Sequence, residues 1–158
     1  MIDWHTHEGK AQPMITFTWD TVRTGVQALA YMLAPREPKL IVGVARGGLI
    51  PATMLSHELG NLPVEVVSAK AYEGTRRTLQ KPIVIEGWQD RYNQEDVVVV
   101  DDIMDSGDTL DKIIHSGGTF KAQFACLVKK KSDRYPNITN YFAQVPLGVW
   151  IKFPWEAE

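Results

Sequence analysis

The chain contains two short groups of polar residues with the types and spacing to bind a phosphorylated ligand, and the richer one spans residues 101–109. It begins with the adjacent carboxylates of Asp101 and Asp102, continues to Asp105, and ends in a Ser/Gly/Thr loop at residues 106–109. Carboxylates bind Mg²⁺ and accept hydrogen bonds from sugar hydroxyls. A loop of small residues that opens a helix presents backbone N–H groups to an anion. The segment is therefore suited to a phosphorylated sugar held with Mg²⁺.

The second group is Arg46-Gly47-Gly48, which follows an apolar run at residues 40–45. Arg46 supplies a fixed positive charge with a planar donor fork that matches phosphate. The two glycines permit positive φ angles and close approach of the backbone to a ligand. The triplet alone is equally consistent with an ordinary strand-to-helix turn. Combined with residues 101–109, it favours a ligand with phosphates at both ends.

The two groups can bind one ligand only if the fold brings them to the same edge of a sheet. Four consecutive valines, 97–100, predict a strand buried on both faces at the centre of a mostly parallel sheet. Ligands of such sheets bind outside the carboxyl ends of the strands. Further strands are predicted at 40–45, 64–68, 120–128 and 141–145, and helices at 20–33 (with Asp20 as its N-cap), 49–59 and 108–116. This alternation predicts one α/β domain over residues 1–158.

Three segments lie outside this alternation. Residues 1–14 are predicted to form a polar N-terminal arm, in which a metal-binding role for His5 and His7 is the less favoured interpretation. Residues 73–95 are polar and are predicted to form a long active-site lid. The aromatic tail from residue 150 is predicted to be irregular.

Composition excludes several classes of protein. The 158 residues carry a net charge of −2, which gives no general basic field for nucleic acid. No apolar run approaches the roughly 20 residues of a membrane span, and the N-terminus has no signal-peptide pattern, so we expect a cytoplasmic protein. Cys126 stands alone in an apolar run and is predicted to be a buried small hydrophobe.

The segment 97–109 resembles the signature of the type I phosphoribosyltransferases: an apolar run, two acidic residues, two apolar residues, then Asp-Ser/Thr-Gly-x-Thr. Within that family the chain is most similar to the bacterial xanthine-guanine enzymes. Thr18-Trp19-Asp20 is similar to their first-helix opening, and Trp150-Ile151-Lys152-Phe153-Pro154-Trp155-Glu156 to their C-terminal pattern. Arg46-Gly47-Gly48 resembles their Ser-Arg-Gly-Gly loop, with Ala45 in place of the serine. The similarity runs from about residue 15 to residue 156.

The resemblance implies a central, mostly parallel sheet flanked by helices, with a small C-terminal hood over the base. It implies an Mg²⁺-dependent reaction in which a purine nitrogen displaces pyrophosphate from 5-phosphoribosyl 1-pyrophosphate (PRPP), giving a nucleoside monophosphate in purine salvage. Asp101 and Asp102 are then expected to bind the ribose hydroxyls and Mg²⁺. The expected phosphate-binding residues are Arg46, Gly47 and Gly48 for the pyrophosphate, and Ser106, Gly107, Asp108 (through its backbone) and Thr109 for the 5′-phosphate.

The same resemblance implies which residues contact the purine base. Asp105 is expected to handle the purine proton as general acid/base, with helix capping as the structural alternative. Lys130 is expected to donate to a purine 6-oxo group, which favours guanine, xanthine or hypoxanthine over adenine. Lys129 to Lys131 are consecutive, so the register of that donor could shift by one, or the run could be a solvated basic patch.

Trp150 is expected to stack on the base, or simply to pack in the core, and the backbone of Ile151 to read the purine 2-substituent. Glu156 is a weaker candidate for the base-side network or a second ion. Tyr72, Arg76 and Arg77 are expected to close over PRPP and exclude water.

Two other functions stay open at this point. The short C-terminus and the poorly matching segment 72–95 favour a PRPP- or nucleotide-binding regulator without turnover, and a transferase for another base is a third possibility. Family members are usually dimers or tetramers, so a homo-oligomer is expected.

Overall fold

The computed structural model describes residues 3–7, 9–71 and 83–157. The described residues form nine strands and three α-helices. Two short 3₁₀ turns, at Ala34–Arg36 and Asp90–Asn93, are not counted among these twelve elements. In chain order they are β1 (Asp3–His7), β2 (Lys10–Thr16), α1 (Trp19–Leu33), β3 (Leu40–Ala45), α2 (Leu49–Glu58), β4 (Val64–Ala71), β5 (Ile83–Glu86), β6 (Val97–Met104), α3 (Asp108–Ile114), β7 (Gln123–Lys130), β8 (Asn140–Val145) and β9 (Trp150–Lys152).

The larger of two sheets confirms the predicted α/β architecture. Within the described residues its strand order is β5-β4-β3-β6-β7-β8, and each neighbouring pair is parallel except β4 with β5. Strand β6 lies near the middle, as the four valines predicted. Parallel pairing places the carboxyl ends of β3, β6 and β7 along one edge. The Arg46 group follows β3 there, and the 101–109 group begins within the last residues of β6 and continues past its end.

The four valines pack on opposite faces of this sheet because successive strand residues alternate in direction. Val98 and Val100 belong to the core formed with α1 and α2. Val97 and Val99 belong to a second core, which includes apolar side chains of α3. All four are at most 2% exposed. Helices on both faces therefore fix β6, and with it the polar residues at its carboxyl end.

The second sheet corrects the prediction for both ends of the chain. β1 pairs antiparallel with β2, and β2 pairs parallel with β9, so residues of the predicted 1–14 arm form sheet strands. Residues 150–152, predicted to be irregular, form β9. The hood beside the large sheet is therefore built from both ends of the chain. Aromatic packing supports it: the Phe153 and Trp155 rings stack with centroids 4.7 Å apart, and Trp155 also meets Trp19 at 6.0 Å.

Several further boundaries differ from prediction: β4 extends to Ala71, β6 extends to Met104, and β7 runs over Gln123–Lys130 rather than 120–128. The N-cap of α1 is Thr18, whose side chain accepts a hydrogen bond from the Thr21 N–H at 3.1 Å, so Asp20 lies inside the first turn. The segment 73–95, predicted to be a long polar loop, contains the edge strand β5 at Ile83–Glu86 and a 3₁₀ turn at residues 90–93, while its role as a lid stays a prediction. Residues 72–82, which include Tyr72, Arg76 and Arg77, lie outside the described residues.

Candidate active site at the carboxyl edge of the sheet

The site is organised around two adjacent carboxylates at the end of β6. Asp101 and Asp102 lie within that strand, which continues to Met104. The Asp102 N–H donates to Asp101 Oδ1 at 2.9 Å, and the Ile103 N–H donates to Asp102 Oδ1 at 2.8 Å. Burial and the neighbouring Asp102 charge raise the pKa of Asp101 well above its usual range. The pair therefore concentrates negative charge that a cation or hydroxyl donors would stabilise.

The Arg46 loop lies directly against this pair, and its two glycines make that approach possible. A Cβ added to Gly47 would lie 2.0 Å from Asp102 Oδ2. A Cβ added to Gly48 would lie 2.5 Å from the Val100 carbonyl oxygen and 2.6 Å from that of Val44. The peptide bond between Ala45 and Arg46 is cis. The structure thus brings the two sequence motifs together, although Gly48 and Asp102 are 54 positions apart along the chain.

Three cavities meet at Asp102, which lines each of them. One, of about 220 Å³, follows residues 101–110. A second, of about 590 Å³, is lined by Arg46, Gly47 and the tail residues Trp155 and Glu156. A third, of about 120 Å³, lies between the end of β6 and the hood. Three cavities that share one carboxylate suit a ligand with three chemically different parts.

The loop at 105–109 forms the wall of the first cavity. Gly107 has φ of +86°, a left-handed conformation that favours glycine, and it is the N-cap of α3. Asp105 therefore does not cap this helix. The Asp108 N–H is 3.3 Å from Ser106 Oγ, and the Asp108 carboxylate is paired with Arg134. Thr109 lies in the first turn of α3 and lines the same cavity.

The third cavity contains the residues expected on the base side, namely Asp105, Lys130, Trp150 and Ile151, together with Phe153 and Glu156. The Lys130 side chain is only 8% exposed, and its Nζ lies 3.2 Å from Asp105 Oδ1. Glu156 Oε2 accepts a hydrogen bond from the Phe153 N–H at 3.2 Å. An amine, a carboxylate and an indole ring thus converge on one small cavity.

Strand alternation separates the three consecutive lysines. Lys129 is 3% exposed and turns away from this cavity; its Nζ donates to the carbonyl oxygens of Tyr135 and Ile138 at 3.0 and 2.9 Å. Lys131 is exposed and lies beyond the end of β7. Of the three, it is Lys130 that lines the base-side cavity.

Sequence reasoning missed Arg134, which binds both the backbone and a side chain of the 105–109 loop. Its Nη1 donates to the Ser106 carbonyl oxygen at 2.8 Å and to Asp108 Oδ1 at 2.7 Å. The only hint in the sequence is Asp108 itself, an acidic residue in a loop expected to bind phosphate. No local pattern connects residues 26 positions apart.

Other features of the described residues bear on the expectations from composition. No helix is long and apolar enough to cross a membrane. Cys126 is fully buried in β7, and burial raises the pKa of its thiol. Among the described residues no cluster of three or more His, Cys, Asp or Glu side chains is arranged to hold a metal ion.

A mostly parallel α/β sheet with phosphate-suited loops on adjacent strands and a hood over one cavity defines the class of nucleotide- or sugar-phosphate-binding enzymes. Within that class, residues 22–158 match the phosphoribosyl transferase domain, and the chain belongs to this family.

Curated relatives share most of the chain's length. A xanthine-guanine phosphoribosyltransferase of Cereibacter sphaeroides (strain ATCC 17025 / ATH 2.4.3) is 34% identical over 146 residues, which cover 88% of this chain and 84% of the relative. Another, of Gluconobacter oxydans (strain 621H), is 35% identical over 143 residues, covering 89% and 83%.

Solved structures agree with this placement. The purine phosphoribosyltransferase from Pyrococcus horikoshii Ot3 is 36% identical with a TM-score of 0.74, covering 92% of this chain and 95% of that one. Helicobacter pylori xanthine-guanine-hypoxanthine phosphoribosyltransferase is 25% identical with a TM-score of 0.71, covering 91% and 94%.

Proposed function

We propose that this chain transfers the 5-phosphoribosyl group of PRPP to a 6-oxopurine, releasing pyrophosphate and forming a purine nucleoside monophosphate. The observation that carries the proposal is the meeting of three cavities at Asp102. PRPP and a purine together present a 5′-phosphate, a pyrophosphate and a base around one ribose. Curated relatives named for xanthine and guanine support the same substrate class.

The first two cavities are assigned to PRPP. The 5′-phosphate is placed against residues 105–109, and the pyrophosphate against Arg46 and Gly47 in the second cavity. The Arg46 guanidinium would offset the negative charge of the leaving group. The ribose then lies at Asp101 and Asp102, whose oxygens accept hydrogen bonds from its hydroxyls. The two loops together hold both ends of PRPP, which restricts the position of the reacting carbon.

The Asp101–Asp102 pair fits a magnesium ion. Mg²⁺ prefers oxygen ligands and is commonly bound through one or two carboxylates plus substrate phosphates. Burial and, next, the neighbouring Asp102 charge raise the pKa of Asp101, and a cation bound at the pair would offset both effects. When bound there, Mg²⁺ would stabilise charge on the departing pyrophosphate.

The base is assigned to the third cavity, with Lys130 facing its 6-position. A buried ammonium group donates hydrogen bonds and accepts none, so it favours a carbonyl oxygen over the amino group of adenine. Trp150 would supply an apolar wall for the purine ring, and Ile151 lines the same cavity. These contacts favour guanine, xanthine and hypoxanthine as a class.

Asp105 is proposed to take the proton that the purine loses as the new C–N bond forms. Its carboxylate stands at the mouth of the base cavity, 3.2 Å from the Lys130 ammonium group. The carboxylate therefore lies beside the position assigned to the base. General acid/base catalysis of this kind contributes about 10²- to 10⁴-fold.

The proposal is tested by measuring pyrophosphate and nucleotide together in a reaction of guanine with PRPP. Equal amounts of both products are expected with Mg²⁺, and none after EDTA until Mg²⁺ is restored. Asp105→Asn should lower kcat by about 10²-fold or more, whereas Asp133→Asn, at an exposed position, should not. Pyrophosphate released without nucleotide would contradict the proposed transfer, and full activity in EDTA would contradict the role of Mg²⁺.

Three expectations from the sequence stay predictions. These are closure of Tyr72, Arg76 and Arg77 over bound PRPP, the single-domain organisation, and a dimeric or tetrameric assembly. Sedimentation of the purified protein measures the last of these directly.

A further inference from the structure

The 105–109 loop carries a charge that opposes the ligand proposed for it. Asp108 places a carboxylate in the loop assigned to the 5′-phosphate of PRPP, which is itself an anion. Two negative charges in close proximity repel, and the repulsion lowers affinity unless a cation offsets it. In the structure the guanidinium group of Arg134 is paired with this carboxylate.

Arg134 makes several contacts with this loop and its helix. Nη1 lies 2.7 Å from Asp108 Oδ1 and 2.8 Å from the Ser106 carbonyl oxygen, and Nη2 lies 3.7 Å from Asp111 Oδ1. The hydrogen bond from Arg134 lowers the pKa of Asp108, and Asp108 in turn raises the pKa of Arg134. The guanidinium group is thus engaged both by a loop carboxylate and by the loop backbone.

The segment that carries Arg134, residues 131–139 between β7 and β8, is itself anchored. The buried Lys129 ammonium group donates to the carbonyl oxygens of Tyr135 and Ile138. The Tyr135 hydroxyl donates to Asp111 Oδ1 at 2.5 Å. The Tyr135 ring also packs against Gly107, where an added Cβ would lie 3.3 Å from two of its carbons. These contacts hold Arg134 at a defined place over the phosphate loop.

We propose that Arg134 is a positioning residue for the 5′-phosphate, which sets PRPP affinity by neutralising Asp108 and fixing the loop backbone at Ser106. The inference rests on the proposed function, since that function places a phosphate in this loop. Arg134 acts through Asp108 and Ser106 rather than by contacting the reacting atoms. Its expected effect is therefore on the KM for PRPP rather than on the KM for the base.

The test is a double-mutant cycle on steady-state kinetics. Arg134→Ala should raise the KM for PRPP about fivefold, in line with the upper range for partly exposed ion pairs, and should leave the KM for guanine unchanged. Adding Asp108→Asn should remove most of that rise, because the uncompensated charge is gone. Arg23→Ala is the matched control: Arg23 is an exposed arginine of α1 paired with Asp20 at 3.7 Å.

Three results would overturn the proposal. An unchanged KM for PRPP in Arg134→Ala would show that the pairing has no effect on the phosphate. A rise that Asp108→Asn does not reduce would mean that Arg134 binds the phosphate directly. An equal rise in both KM values would show that Arg134 has no particular effect on phosphate binding.

A binding measurement separates this inference from the proposed function. Calorimetry compares GMP with guanosine, so the ratio of their affinities reports the phosphate contribution without turnover. If the wild-type protein binds GMP more tightly but forms no nucleotide, the transferase proposal fails, and the same variants test Arg134 through that ratio. If it does not prefer GMP over guanosine, the assignment of the phosphate to this loop fails, and the inference fails with it.

Discussion

Replacing Lys130 by methionine is expected to remove most of the preference for a 6-oxopurine. The lysine side chain is 8% exposed, and its Nζ faces the base-side cavity beside Asp105. A hydrogen bond from a charged donor contributes about 1.5–3 kcal/mol, which corresponds to about a 10- to 150-fold fall in kcat/KM for guanine. Methionine keeps the unbranched stem, so the wall of the cavity is largely retained.

The fold should survive this substitution. Asp105, the partner left behind, is 63% exposed, so water can solvate its carboxylate once the lysine is gone. The expected cost in the free energy of unfolding is therefore below about 1 kcal/mol. A loss of activity would then report on base recognition rather than on stability.

The assay compares initial rates of nucleotide formation from guanine and from adenine at saturating PRPP. Lys131→Met is the control, because Lys131 is the exposed neighbour of Lys130 outside the cavity. We expect a large loss with guanine, no comparable loss in any adenine turnover, and wild-type rates for the control. A guanine kcat/KM within about threefold of wild type would refute the assignment of Lys130 to the 6-oxo group.

The remaining predictions concern stability. Gly48→Ala should lower the free energy of unfolding, measured in urea, by about 1–3 kcal/mol, because the added Cβ would meet backbone oxygens. Gly148→Ala is the control and should not destabilise the protein in this way, because its added Cβ meets nothing within 4 Å. Lys129→Met should cost roughly 1–3 kcal/mol by the same measurement, since two carbonyl oxygens lose their buried donor. Hydrogen bonds from Arg91 and Tyr92 lower the pKa of Glu65 from 4.5. The stability that Glu65 contributes should therefore be present above about pH 4.5 and lost as the pH falls through its lowered pKa. The difference in Tm between wild type and Glu65→Gln should shrink over that range, and a constant difference would contradict the pairing.

The parts of the fold that the sequence predicted correctly are those set by local pattern. Four valines flanked by polar residues define β6 without any knowledge of its neighbours, since burial on both faces requires a continuous apolar run. The glycines at 47 and 48 likewise signal a close backbone approach, and the structure shows what they approach. The sequence alone therefore places the motif at 101–109 at the end of a strand.

The features that the sequence did not predict depend on contacts distant along the chain. Strand β2 pairs with β9, which lies more than 130 positions later in the chain. The polar N-terminal sequence therefore contains no local pattern that indicates its pairing partner. The pairing of Arg134 with Asp108 joins two loops in the same way. Lys130 is an intermediate case: alternation along β7 separates it from Lys129, but only the true strand boundary shows which lysine faces the cavity.

The most direct test of the central claim is a turnover assay with PRPP and Mg²⁺, run in parallel on guanine, xanthine, hypoxanthine and adenine. Nucleoside monophosphate is expected from one or more of the three oxopurines, with little or none from adenine. No product from any oxopurine, or adenine used as efficiently as the best of them, would contradict it.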